Sequence, residues 1–333
     1  MEIELCRALT RTNADEDQRL NLHWSGFTWV RNDSLMSPLA HHALESWRLP
    51  IPMTLALVLA MSIYLRGWLR HHNVSPNRIS IWRLAAFITG LLCLWVAEGS
   101  PLLAFDDDLL TIHMVQHILL MGIVPSLVLL GAPALPMLYG LPRPLVRNLL
   151  GPLLRWRLLQ GLGRTLTHPA FAWLSSTAAL IGWHLPAAFE LALQSSLWHD
   201  AEHACFFWTG ILFWWPVVQP WPSLSRWPRW CIPLYLFFAT LPCDVLSAFL
   251  TFCGRVVYPY YLSAPRLFTL SPLLDQECAG ALMWVCATFI YLIPAVIITV
   301  QLLSAPTMHA AEQAQAEAQR LAGRALSTSA EVV

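Results

Sequence analysis

Five histidines hold most of the chemistry this chain offers. His113-Met114-Val115-Gln116-His117 and His199-Asp200-Ala201-Glu202-His203 are both i,i+4 pairs. That spacing puts both imidazoles of a pair on one face of a helix. The fifth, His184, stands in Trp183-His184-Leu185-Pro186. Imidazole suits copper, zinc, iron and nickel, and Met114 and Met121 beside the first pair add soft thioethers that favour Cu(I). Glu98, Asp244 and Asp275 are the acids expected to orient such ligands from behind. The expected metal ligands are therefore His113, His117, His184, His199 and His203, supported by Met114, Glu98, Asp244 and Asp275. A single histidine in an apolar segment more often makes an interhelical hydrogen bond than a metal bond. Two pairs and a fifth ring at one depth fit a metal better.

The elements that must position these rings follow from composition. Of 333 residues, 56% are hydrophobic and 12% charged, and the formal net charge is zero. Soluble domains carry roughly 25% charged residues, so this chain lacks the polar surface to coat a water-soluble globule. Disorder is excluded by the apolar content, and nucleic-acid binding by the lack of a basic excess. All 20 basic residues are arginine, which also excludes a lysine Schiff base. A helix needs about 20 apolar residues to cross a bilayer. Seven stretches qualify: 50–69, 82–104, 109–130, 169–190, 198–218, 231–253 and 278–303. The run Ala132–Leu141, broken by Pro133, Pro136 and Gly140, is too short and is expected to continue the third helix or lie at the interface.

The fold class is thus all-α, a polytopic bundle of seven transmembrane helices. Loop arginines set its orientation. Arg66, Arg70, Arg78 and Arg83, then Arg143, Arg147, Arg155, Arg157 and Arg164, then Arg226 and Arg229 fall in alternate loops. The other loops are acidic or mixed, beginning with Asp106–Asp108, which read as a solvated acidic loop. Arginine inside places the N-terminus outside and the C-terminus in the cytoplasm. Residues 1–49 read as a polar outer tail, with Met36 as an alternative start; 50–303 form the membrane domain and 304–333 a cytoplasmic tail. At ~1.5 Å per residue, His113 lies ~6 Å below the outer surface, His117 ~12 Å, His184 ~9 Å, His203 ~8 Å and Asp244 ~14 Å. The cluster therefore occupies one outer-leaflet layer.

Four uses of that layer remain open on residue types alone. A metal is bound or handed on without turnover; two facing histidines ligate a b-type haem; or His199, Glu202 and His203 form an H-x-x-E-H metallohydrolase with Glu202 as base. The fourth needs no metal: a membrane scaffold with the histidines as interhelical glue.

Several blocks add to this reading. His113–His117, Leu130-Gly131-Ala132-Pro133, Trp183-His184-Leu185-Pro186, His199 through Pro216, Leu241-Pro242-Cys243-Asp244 and Ser271 through Gln276, with Gly280 and Met283-Trp284, occur in that order. Together they resemble the CtaG-like cytochrome c oxidase assembly family. The resemblance covers roughly residues 49–303. It implies a seven-span, non-enzymatic protein of the bacterial inner membrane that serves the copper centres of a terminal oxidase. Its expected partners are the lipid bilayer, oxidase subunits and copper chaperones, and its expected cargo is copper, with zinc or haem as alternatives.

Overall fold

The computed structural model describes residues 49–74, 80–100, 105–219, 227–264 and 270–330. The polar tail 1–48 lies outside them, as do the side chains of 71–74 and 305–330. Every regular element among the described residues is helical. In chain order they are α1 (Ile51–Val74), α2 (Ile81–Gly99), α3 (Leu110–Leu130) and α4 (Ala134–Gly140). Next come α5 (143–155), α6 (Arg157–Leu166), α7 (Pro169–Trp183), α8 (Pro186–Gln194) and α9 (Ser196–Val218). The last are α10 (Cys231–Phe252), α11 (Tyr260–Ser263) and α12 (Pro272–Ala330).

Five of these are long and apolar enough to cross a membrane: Ile51–Arg70 within α1, then α2, α3, α10, and Pro272–Ser304 within α12. Their surfaces are inverted relative to a soluble protein. Leu55, Val245, Phe252, Val296 and Leu303 are exposed, while Gln116, Gln276, Ser176 and Ser247 are buried. Such a surface belongs in lipid, where backbone groups must be satisfied within helices. α3 is the central helix: half of its apolar window is buried, against 17–28% for the other four.

The two remaining expected spans differ in instructive ways. α9 has 23 residues, ~34 Å of helix, which is long enough, but His199, Asp200, Glu202 and His203 lower its hydropathy. The expected helix 169–190 is interrupted. α7 ends after 15 residues and α8 restarts at Pro186. The residue before a proline disfavours the helical region, and Leu185 is extended at ψ 132°. His184 therefore sits at a helix break and not within a continuous rod. Nor does 132–141 continue α3. Ala132 adopts φ 46°, the left-handed region that ends a helix, and α4 turns back to pack along α1.

Close approaches at two glycines hold the bundle together. A Cβ on Gly210 of α9 would lie 2.7 Å from the Met121 carbonyl oxygen, so only glycine lets α9 come this near α3. The α3 backbone widens into a π turn at Leu119–Ile123, just before Pro125, which has no N–H to offer the preceding turn. On the other side, Gly280 of α12 packs against Thr251 of α10, where a Cβ would meet Thr251 Oγ1 at 2.6 Å. Asp275 joins α12 to α3. Its carboxylate accepts from the Leu110 N–H at 2.7 Å, the Thr111 N–H at 3.2 Å and the Thr111 hydroxyl at 2.6 Å. These are the free donors of the helix N-terminus, and the negative charge also suits that end of the dipole.

Candidate metal centre

The helical period turns one face of α3 and one face of α9 toward each other. On α3 the buried face is Leu110, His113, Met114, His117, Leu120 and Val124; on α9 it is Glu202, His203, Phe206, Gly210 and Phe213. The four paired imidazoles meet across this seam. Ring centroids are 4.3 Å apart for His113–His117, 4.1 Å for His199–His203, 5.6 Å for His117–His203 and 6.0 Å for His113–His203. His184 joins from the α7 break, 5.5 Å from His117. All five expected histidines are thus brought together. Phe206 packs on His117 at 4.5 Å, and Phe189 of α8 on His113 at 4.9 Å. Phe189 is itself stacked on Tyr258 at 4.0 Å. These aromatic rings pack directly against the cluster.

Glu202 lies at its centre with no exposed surface. Its carboxylate oxygens are 3.5 Å from His117 Nε2 and 3.8 Å from His113 Nε2. Both are too far to be hydrogen bonds. One donor atom each from His113, His117, Glu202 and His203 falls within 4.8 Å of the others. Donors bonded at about 2.0–2.2 Å to one ion lie ~3–4 Å apart, so small side-chain movements would bring this set onto one ion. Both nitrogens of His113 and of His117, both oxygens of Glu202 and His203 Nε2 are buried without a hydrogen-bond partner among the described residues. Each such atom costs about 1–3 kcal/mol. The set together rivals the net stability of an ordinary domain, about 5–15 kcal/mol. The donor set therefore fits a bound cation.

The surrounding acids play distinct parts. Glu98 Oε1 lies 2.9 Å from His203 Nδ1, which leaves Nε2 to face the cluster. Gln116 fixes the α2 end that carries Glu98 by donating to the Ala97 carbonyl at 3.1 Å. Asp106 is buried, contrary to the solvated loop expected for it, and its Oδ2 lies 3.5 Å from His199 Nε2. Its backbone carbonyl accepts the Tyr261 hydroxyl. Burial first, and then the neighbouring Asp107 charge, push the Asp106 carboxyl up to about 7, against a lowering by His203, the Asp107 N–H and Gln116. Asp106, His113 and His199 also place ligand atoms within 4.8 Å of one another. His199 is the most open ring, with 18% of its side chain exposed.

Two expected supports stand elsewhere. Asp275 caps α3 as described, so it positions the ligand helix and not the rings. Asp244 belongs to neither group of ligand atoms that lie within 4.8 Å of one another, and its Oδ1 is buried without a hydrogen-bond partner among the described residues. Glu202 and Asp106 were not among the expected ligands. Glu202 had a sequence signal, since i,i+3 from His199 shares the face of i,i+4. Asp106 had none that set it apart from Asp107 and Asp108.

The sequence profile of the cytochrome c oxidase caa3 assembly factor family, Caa3_CtaG, matches residues 62–305. The chain belongs to that family. The matched region runs from within α1 into α12 and contains every histidine of the cluster. Two uncharacterised proteins, one from Mycobacterium bovis and one from Mycobacterium tuberculosis, are each 25% identical to the chain over 273 residues. The match covers 73% of this chain and 40% of theirs, so the chain spans about two fifths of the length of these relatives. No solved structure matches.

Proposed function

We propose that this member of the caa3 assembly family holds copper as cargo between α3 and α9 and supports maturation of a terminal oxidase. His113, His117, His203 and Glu202 are the holding set, His199 with Asp106 is its outer end, and His184 adjoins it on the inner side. The observation that carries the reading is the group of buried nitrogen and oxygen atoms on these residues left without hydrogen-bond partners. A cation among them restores the interactions lost on leaving water. Glu98 and the helix cap at Asp275 keep the rings oriented. The protein is read as non-catalytic.

The same proposal has the bundle crossing the bacterial inner membrane seven times with its N-terminus outside. α9 supplies one crossing and α7 with α8 another, bent at His184. Support comes from the sorting of charge along α3. His113 and His117 stand in its first turns, and Arg143, Arg147, Arg155, Arg157 and Arg164 follow its far end at Leu130. Arginines on the cytoplasmic side put the histidines in the outer leaflet.

Metal analysis and an optical spectrum of the detergent-purified chain test the proposal. Copper in stoichiometric amount, lost with oxidase maturation in His113→Ala and His203→Ala, is the expected result. Metal-free protein whose histidine variants mature the oxidase normally overturns it. A Soret band would do the same in favour of haem.

A further inference from the structure

His184 and Met114 face each other in a way the holding set does not explain. His184 Nδ1 lies 2.7 Å from the Leu180 carbonyl oxygen, its own helix one turn back. A carbonyl only accepts, so the partner assigns the proton to Nδ1. Nε2 then carries a bare lone pair, and it points at Met114 Sδ 3.4 Å away. The thioether has no hydrogen to give. Two acceptors therefore meet with no proton between them, at a site where Met114 has no exposed surface and His184 has 4%. The other tautomer would only move the conflict to Leu180, at a shorter distance. A ring carrying both protons would be a buried cation.

The pair is also held in place from behind. His184 ends α7, and its backbone carbonyl accepts the Tyr258 hydroxyl at 3.0 Å. Met114 rides on α3 between His113 and His117. On the inner side lies a cavity of about 40 Å³, lined by His117 and His184 at one end and by Met121, Cys243, Met283 and Tyr291 among its walls. That volume exceeds the roughly 10–15 Å³ a single water needs, yet the walls are almost wholly apolar or sulfur-bearing. No carboxylate lines it. Ligand character thus changes along the seam. It runs from carboxylate and imidazole at Asp106, His199 and Glu202 to imidazole and thioether at His184 and Met114.

We propose that His184 Nε2 and Met114 Sδ form a second binding site, for a soft monovalent cation of the Cu(I) or Ag(I) class, beside the imidazole–carboxylate set and opening on the sulfur-lined cavity. Thioether ligands select soft ions, whereas imidazole and carboxylate together also accept divalent zinc. At 3.4 Å the two atoms are close enough to reach one ion after small side-chain movements. The second site rests on the cluster being a metal centre, and it adds a filter for oxidation state on the inner side.

Silver, which has no competing redox chemistry, and zinc are the probes. The full chain is purified with its eight cysteines replaced by serine or alanine, which removes every thiol that would compete for silver, and each ion is titrated against a competing chelator. X-ray absorption then reads the ligand shell. Silver is expected to bind with a sulfur neighbour. In Met114→Leu, a change that keeps volume, that sulfur disappears and silver binds about tenfold or more weakly. Zinc uptake through nitrogen and oxygen stays as in the parent and reports that the variant is folded. A silver shell without sulfur, or one whose sulfur survives Met114→Leu, overturns the second site and leaves the holding set standing. Failure of the parent to bind either zinc or Cu(II) through nitrogen and oxygen overturns the holding set and, with it, the reading on which the second site rests.

Discussion

Replacing Glu202 by glutamine removes the carboxylate that would face a bound ion at the centre of the cluster while keeping its shape. The carboxylate oxygens lie 3.5 and 3.8 Å from the two α3 imidazoles, so an ion held among those nitrogens is within ~4 Å of the charge. At that separation and an effective dielectric of about 20, a unit charge contributes about 4 kcal/mol. Glutamine still offers an oxygen donor, taken here to recover about half, which leaves a loss of about 2 kcal/mol for a monovalent ion and about 4 kcal/mol for a divalent one. At 1.4 kcal/mol per decade these are roughly 30-fold and roughly 1000-fold. Competition dialysis of zinc and silver against chelators, on detergent-purified parent and variant, measures both. The metal-free variant should unfold near the parent's temperature, because glutamine keeps the size and polarity of the side chain. Stabilisation by saturating zinc, about 2.7 kcal/mol at 100 times Kd, should shrink. A folded Glu202→Gln protein that binds zinc within about threefold of the parent, less than 0.7 kcal/mol, would refute the placement of the ion beside Glu202.

Three further outcomes follow from the packing and topology. Asp275→Ala uncaps α3 and should cost about 1–2 kcal/mol in thermal unfolding, with weaker zinc binding because the His113 turn frays; Asp275→Asn should recover part of both. Gly210→Ala puts a Cβ 2.7 Å from the Met121 carbonyl, forcing α9 off α3 at about 1–3 kcal/mol, read as a lower melting temperature in detergent. For orientation, a membrane-impermeant thiol reagent on whole spheroplasts should label Asp107→Cys above the parent background and leave Arg155→Cys unlabelled until the membrane is opened. The reverse pattern would invert the topology.

The sequence made the α3–α9 seam readable because it rests on spacing alone. Two i,i+4 pairs must share a face if their segments are helical, and depth counting brings faces of equal depth together. Glu202 was readable by the same rule. Its position in an H-x-x-E-H pattern drew attention to catalysis and away from ligation. Asp106 was not readable, because its burial depends on how the 105–108 turn folds over α9, and neighbouring Asp107 is exposed. Asp244 shows the limit of depth as a guide. It counts to the right layer, yet it joins neither group of ligand atoms at the α3–α9 seam. The break at His184 was written in Pro186, yet an apolar run of adequate length concealed it.

The polar face of α9 also bears on how the protein is made. An acid raises the cost of inserting a helix into a bilayer, by about 2.5–3.5 kcal/mol at its centre and less toward its ends, and in the proposed topology α9 carries Glu202 in its outer third, on one side with His199 and His203. Such a helix is a poor candidate to enter the bilayer unaided. α3 and α7 are synthesised before it, so the face built of His113, Met114 and His117 already exists when α9 leaves the ribosome. Where α9 spans the bilayer as proposed, the proposed ligands also set a dependency in biogenesis, in which α9 enters the membrane against α3 as its template. Damage to the α3 face would then appear first as shortage of the whole protein, before any shortage of metal.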